Sequence, residues 1–93
     1  MSELPHSVVL SDQVLYQELE GEAVLLDLDR EHYYGLDGVG MRLWQLLDQD
    51  GDPEAAVKAI VAEYDVDEAT ARRDVAIWIE KLSEAGLLTL APA

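Results

Sequence analysis

Three features of the sequence could do chemistry, and the first is the glycine-rich stretch GLDGVG at residues 35–40. It lies between a predicted strand and a predicted helix, where nucleotide-binding loops present backbone amides to phosphate. The stretch lacks the GK[ST] ending of a P-loop, and it is not a GxGxxG motif within a strand–helix–strand unit. We therefore expect structural glycines: Gly35 and Gly38 allow the turn from strand to helix, and Gly40 lets the helix approach the sheet.

The other two features are the histidines and the many carboxylates. His6 and Ser7 are adjacent, but nucleophilic catalysis needs a nucleophile, a base and an orienting group that meet in space. Neither His6 nor His32 belongs to an HExxH pattern. Asp27 and Asp29 lie on one face of a predicted strand and could hold a cation only weakly. The sequence therefore predicts a protein that is not an enzyme and has no metal site and no cofactor.

Charge is the most unusual property of the composition. The chain has 20 Asp and Glu against 6 Lys and Arg, which gives a formal net charge of −14. Nucleic-acid affinity comes largely from basic groups, so nucleic acid and anionic membrane are not expected partners. A basic or neutral polypeptide is the easier partner, although acidity also keeps a small domain soluble.

Length and residue types indicate a single small domain. The 93 residues contain no cysteine, which excludes disulfides and thiolate chemistry. No stretch approaches the roughly 18 apolar residues that a membrane span needs, and the N-terminus does not read as a signal peptide. We expect one domain over residues 1–93, with residues 1–7 mobile, in a cytoplasmic protein.

Residues 14–36 predict a three-stranded antiparallel meander. The first strand covers residues 14–19, and an EGE turn leads into the second. The residues of the second strand expected to face the core are Val24, Leu26 and Leu28. After a turn, residues 32–36 form the third strand, with Tyr34 and Leu36 on one face and Tyr33 on the other.

Three helices are predicted after the meander, each with one apolar face. The first has Gly40, Leu43, Trp44 and Leu47 on that face and ends at Gly51. The second begins with Asp52 and Pro53 and has the face Val57, Ile60, Val61 and Tyr64. The third is capped by Asp67 and has the face Ala71, Val75, Trp78, Ile79 and Leu82. A Schellman motif is expected at Gly86, followed by a short strand or packing segment at residues 87–90.

This pattern resembles the PqqD-like family, the RiPP recognition elements of ribosomal peptide natural-product biosynthesis. The resemblance rests on YYGLDGVGMRLWQLL at the strand–helix join and DVAIWIEKLSEAGLL near the end, and it covers Val8 to Leu90. Within the family, the chain is most similar to the stand-alone precursor-recognition protein of lasso peptide biosynthesis. The resemblance implies an α+β, winged helix-turn-helix-like fold in which a three-stranded antiparallel sheet is followed by three helices.

The resemblance also implies a function and its partners. The protein would be non-catalytic and would bind the leader region of a precursor peptide as an additional strand beside its third strand. The third helix would form the other wall of the cleft. A separate, cysteine-protease-like leader peptidase and a cyclase would be further partners.

The third strand is compatible with this mechanism on its own chemistry. It is an edge strand of the meander, and EHYYGL contains neither the lysine nor the proline that usually protects an edge from foreign pairing. An extended peptide could therefore pair with its backbone. The alternative that the C-terminal segment or a second copy covers this edge stays open.

Candidate peptide-binding residues lie on the third strand and the third helix. On the strand they are Glu31, His32, Tyr33, Tyr34 and Gly35. On the helix they are Arg73, Asp74, Ile77, Trp78 and Lys81. We expect His32 and Tyr34 at the floor of the cleft.

The helix residues would form the side of the cleft, with Arg73, Asp74 and Ile77 on the wall and Trp78 at the boundary with the core. Asp29, Glu31 and Asp74 would pair with basic residues of the leader, and salt would weaken that pairing.

Two other functions remain open. One is a winged-helix transcriptional regulator, in which a helix enters the major groove of DNA. Arg72 and Arg73 are the only adjacent basic pair, and the acidic residues around them disfavour a DNA-facing surface. The other is an adaptor domain that binds some other peptide.

Overall fold

The computed structural model describes residues 4–91, which form five strands and three helices. In chain order these are β1 (Ser7–Leu10), β2 (Val14–Leu19), β3 (Glu22–Asp27), β4 (His32–Leu36), α1 (Gly38–Asp50), α2 (Pro53–Glu63), α3 (Glu68–Glu84) and β5 (Leu88–Ala91). The antiparallel sheet has the strand order β2-β3-β4 and precedes all three helices. The predicted α+β architecture is therefore confirmed. None of the helices within residues 4–91 is long and apolar enough to cross a membrane.

A second, two-stranded sheet joins the two ends of the chain. β1 pairs with β5 in antiparallel register, from Ser7 opposite Ala91 to Leu10 opposite Leu88. β5 agrees with the predicted terminal strand, whereas β1 was not predicted. Ser7, the last residue of the segment predicted to be mobile, is the first residue of β1. Residues 1–3 of that segment lie outside the described residues.

The buried face of β3 is the opposite of the predicted one. Ala23, Leu25 and Asp27 are buried, and Leu25 has no exposed surface. The prediction that Val24, Leu26 and Leu28 face the core is therefore wrong. Its error lies in Asp27, which is buried because its carboxylate accepts hydrogen bonds from the backbone amides of the following turn.

The helix faces and caps agree closely with the sequence pattern. The four predicted residues of α1 are its buried residues, and Gly51 ends the helix in the left-handed conformation at φ 67°. Asp52 caps α2 and Asp67 caps α3 through side-chain oxygens that accept from helical amides. Thr70 donates to Asp67 from both its amide and its hydroxyl, which lowers the pKa of the Asp67 carboxyl.

The end of α3 is a Schellman motif. The Gly86 amide donates to the Ser83 carbonyl at 3.1 Å, and the Leu87 amide donates to the Leu82 carbonyl at 2.9 Å. Gly86 has φ 80°, as this motif requires. The motif directs Leu87 and Leu88 into the core, where they are almost fully buried.

Only one of the three glycines at the strand–helix join acts as predicted. Gly40 does allow close approach, because a Cβ there would lie 3.3 Å from Trp78 Nε1 and 3.4 Å from Leu36 Cδ2. Gly35 and Gly38 are not among the positive-φ residues of the described chain, and a Cβ at either would meet no atom within 4 Å. The turn into α1 therefore depends on the Asp37 cap, whose Oδ1 accepts from the Gly40 amide at 2.8 Å.

Candidate peptide-binding site

The outer edge of β4 is open within the described part of the chain. β4 lies at the end of the order β2-β3-β4 and pairs only with β3. β5, which could have covered this edge, pairs with β1 instead. Backbone groups of the five β4 residues are therefore available to an added strand.

Helix α3 meets the β4 region at two places. Near the start of the strand, Arg30 Nη1 donates a hydrogen bond to the Ala85 carbonyl at 2.9 Å, directly after α3. Near the end of the strand, Trp78 lies against Gly40 and Leu36. Between these places α3 and β4 are not packed along their length. The two contacts bound a cleft whose sides are the β4 edge and α3.

Arg30 is fitted closely to the end of α3. A Cβ at Gly86 would lie 2.8 Å from Arg30 Nη1 and 2.9 Å from its Cζ, so the guanidinium lies directly over the glycine. The backbone amide of Arg30 donates to buried Asp27 at 3.2 Å. Asp27 therefore shapes the β3–β4 turn, and Arg30 connects that turn to α3.

The predicted strand residues divide between the two faces of the sheet. Tyr34 is half-buried against the core, and exposed His32 shares its face, as expected for a floor. Tyr33 points to the opposite face and is 74% exposed. Glu31 lies in the preceding turn at φ 58°, and Gly35 is exposed within β4.

The predicted helix residues form a graded series from core to solvent. Trp78 is half-buried and packs against the core, as expected for a boundary residue. Asp74 lines the same pocket as Trp78. Arg73, Ile77 and Lys81 are exposed and do not line that pocket.

The pocket between the three helices was not predicted. It has a volume of about 260 Å³ and opens where α1 follows β4. Its lining is formed by Asp37, Val39, Gly40, Leu43, Ile60, Tyr64, Val66, Ala71, Asp74, Val75 and Trp78. The walls are mainly apolar, and the only carboxylates are those of exposed Asp37 and Asp74. Small-molecule sites usually measure roughly 300–1,000 Å³, so the pocket is better suited to one apolar side chain.

The sequence contains only a weak signal for this pocket. Val39 is off the buried stripe of α1, and Val66 lies in the short loop before α3. Tyr64, predicted on the buried face of α2, is instead its partly exposed C-cap. Their proximity results from helix packing, which residue spacing does not encode.

Charges near the cleft are mostly acidic and uncompensated. Arg73 Nε lies 3.9 Å from Asp74 Oδ1, a loose ion pair between two exposed side chains. None of the salt bridges within residues 4–91 involves Asp29 or Glu31. These residues also include no group of three or more acidic or histidine side chains placed to hold a metal ion.

The only adjacent basic pair is not arranged to contact DNA. Arg72 Nη2 donates to Glu54 at 2.9 Å and to Glu68 at 3.3 Å. These hydrogen bonds raise the pKa of Arg72, and the same pairing lowers the pKa of Glu54. Because Arg72 and Arg73 each have an acidic neighbour, neither offers a free cation to phosphate.

Comparison with known proteins gives the same architecture. TbiB1, solved in complex with the TbiA(beta) leader peptide, is 42% identical to this chain with a TM-score of 0.82. The match covers 86% of this chain and 93% of TbiB1. A lasso peptide synthetase B1, solved with the leader peptide, has a TM-score of 0.81 over 88% of this chain and 96% of its own; at 24% identity it supports the fold alone. No curated protein sequence matches the chain. The family model for coenzyme PQQ synthesis protein D (PqqD) matches residues 22–88, and the chain therefore belongs to the PqqD family.

Proposed function

We propose that this protein is a non-catalytic module that binds the leader region of a ribosomally made precursor peptide and delivers it to a separate leader peptidase. The observation that carries the proposal is the open β4 edge beside α3, in a chain 42% identical to a protein solved with a leader peptide. The leader would add as a strand to β4. Binding and delivery require no catalytic residue in this chain.

Backbone pairing alone is too weak for this role. A strand paired to the five residues of β4 would form about four hydrogen bonds, each with a net contribution of about 1 kcal/mol. Micromolar affinity requires about 8 kcal/mol. Side chains of the leader must therefore make apolar contacts as well.

The pocket and the exposed face of α3 can provide those contacts. One large apolar side chain buried in the pocket would contribute about 1.5–3 kcal/mol. Ile77, which is 38% exposed, offers a second apolar contact on α3. Asp29, Glu31 and Asp74 are placed around the cleft to attract basic leader residues, as expected from the net charge of −14.

The contribution of the α3 wall is tested by Ile77→Asp. We expect leader affinity to fall about tenfold, because the substitution removes an apolar contact and adds a charge that binding would desolvate. Anisotropy of a labelled cognate leader measures the affinity, and circular dichroism checks the fold. Leu90→Asp on β5 is the control, because Leu90 is 50% exposed and lies on the other sheet. A folded Ile77→Asp protein with unchanged affinity would show that α3 is not the wall.

The connection between the turn and α3 is tested by Arg30→Ala. The change removes the hydrogen bond to Ala85 and the guanidinium over Gly86, so one end of the cleft loses its fixed width. We expect leader affinity to fall roughly fivefold with a small loss of stability, since a less ordered site must be ordered on binding.

Arg30→Lys separates this role from charge. Lysine keeps the positive charge but lacks the planar group that covers Gly86, so it should bind the leader as weakly as the alanine variant. Wild-type affinity in Arg30→Lys would show that Arg30 contributes only its charge.

A further inference from the structure

The face of the three-stranded sheet that points away from the helices is apolar. Its apolar residues, which we call the outer face, are Leu15, Leu19, Val24, Leu26, Leu28 and Tyr33. Register aligns Leu15, Leu26 and Tyr33 in one row across β2, β3 and β4. Leu15 is 48% exposed and Leu19 is 63% exposed. Nothing in residues 4–91 covers this face.

The two faces of β3 have the opposite of the usual polarity. An antiparallel sheet with one solvated face normally alternates apolar residues inside with polar residues outside. Here the buried face includes Asp27, and the outer face includes Val24 and Leu26. Small soluble domains rarely leave such a contiguous apolar patch without a partner.

The border of the outer face excludes a second copy as the preferred occupant. Glu18, Glu20 and Glu22 lie around the β2–β3 turn, and Asp29 and Glu31 lie in the β3–β4 turn. None of these acids forms a salt bridge within residues 4–91. Two copies packed face to face would bring these acids together in proteins of net charge −14. A partner with an apolar centre and a basic border fits better.

The outer face is small for a stable interface by itself. Three strands of about six residues give a projected area of about 300 Å², from the usual strand spacing and rise. Stable interfaces bury about 800 Å² per partner. A strand added to β4 would extend the sheet beyond Tyr33, so its outward side chains would continue the row from Leu15.

From this geometry we propose that the outer face, extended by the bound leader, is the docking surface for the leader peptidase. This inference rests on the proposed function, and it assigns the peptidase an apolar patch with a basic border. Because leader and outer face form one surface, the leader should increase peptidase affinity, and the peptidase should increase leader affinity by the same factor.

The test measures two interactions of the full chain separately. Purified leader peptidase of the cognate precursor is titrated with and without leader by biolayer interferometry, and leader binding is measured alone by anisotropy. Leu15→Asp removes the apolar end of the row at a position two strands from the β4 edge. Leu19→Asp, at a more exposed position of the same face, gives a second variant that should fold. Leu90→Asp, at a residue 50% exposed on the other sheet, is the matched control.

We expect each outer-face variant to weaken peptidase binding about tenfold or more, from the apolar area lost, and to leave leader binding unchanged. The control should bind both ligands as wild type does. Wild-type peptidase affinity in folded outer-face variants would overturn the inference, as would a wild-type dimer that Leu15→Asp dissociates. If the leader alone fails to bind wild type, the proposed function fails, while a Leu15-dependent peptidase complex would still support the surface.

Discussion

Val39→Asp is expected to weaken leader binding roughly 30-fold or more, the equivalent of about 2 kcal/mol from an unfilled apolar pocket. Val39 lines the pocket from the first turn of α1 and is 39% exposed. An aspartate there would need to be desolvated by any apolar side chain that enters. Anisotropy of the labelled leader measures the loss.

The substitution should leave the fold intact. The first turn of α1 contains no acidic residue, and a carboxylate at a helix N-terminus is favoured by the helix dipole. Val9→Asp is the matched control, because Val9 is 60% exposed on β1 and far from the cleft in the sheet order. Equal leader affinities for the two variants would show that the pocket does not bind the leader.

Gly51→Ala is expected to destabilise the fold by about 3 kcal/mol, through a left-handed backbone and a steric overlap. Gly51 has φ 67°, and a Cβ there would overlap the Val8 carbonyl oxygen. Val8 also donates its amide to the Gly51 carbonyl at 2.9 Å, so β1 cannot shift without losing that bond. Urea denaturation of the purified variant gives the free energy of unfolding.

Gly21→Ala separates the two causes of this loss. Gly21 has φ 84°, but a Cβ there would meet no atom within 4 Å. It should therefore cost only the backbone term of about 1 kcal/mol. An equal loss in both variants would show that β1 moves away from Gly51 at little cost.

Local chemistry explains why the helices could be predicted from sequence. Asp52 with Pro53 begins α2, and Gly86 ends α3, because caps and left-handed glycines act within one turn of chain. The faces of the helices follow from spacing alone, and α1 buries the four residues that its pattern indicates. The same is true of β4, where Tyr34 and Leu36 face the core.

The failures have a different physical origin. β1 is four residues long and pairs with a strand about 80 residues later, so no local pattern marks it. The face of β3 was assigned by hydrophobicity, and a buried carboxylate at Asp27 reverses that rule. The pocket requires residues from all three helices to meet, which depends on packing angles and not on spacing.

The pairing of β1 with β5 has a consequence for how the module can be joined to other proteins. With Ser7 opposite Ala91, any polypeptide attached at either end emerges from the same corner. That corner is next to Gly51, and α1 separates it from the pocket at Gly40 by roughly 16 Å of helix. Covalent tethering to a processing enzyme, at either terminus, would thus keep the cleft unobstructed and present it in nearly the same orientation.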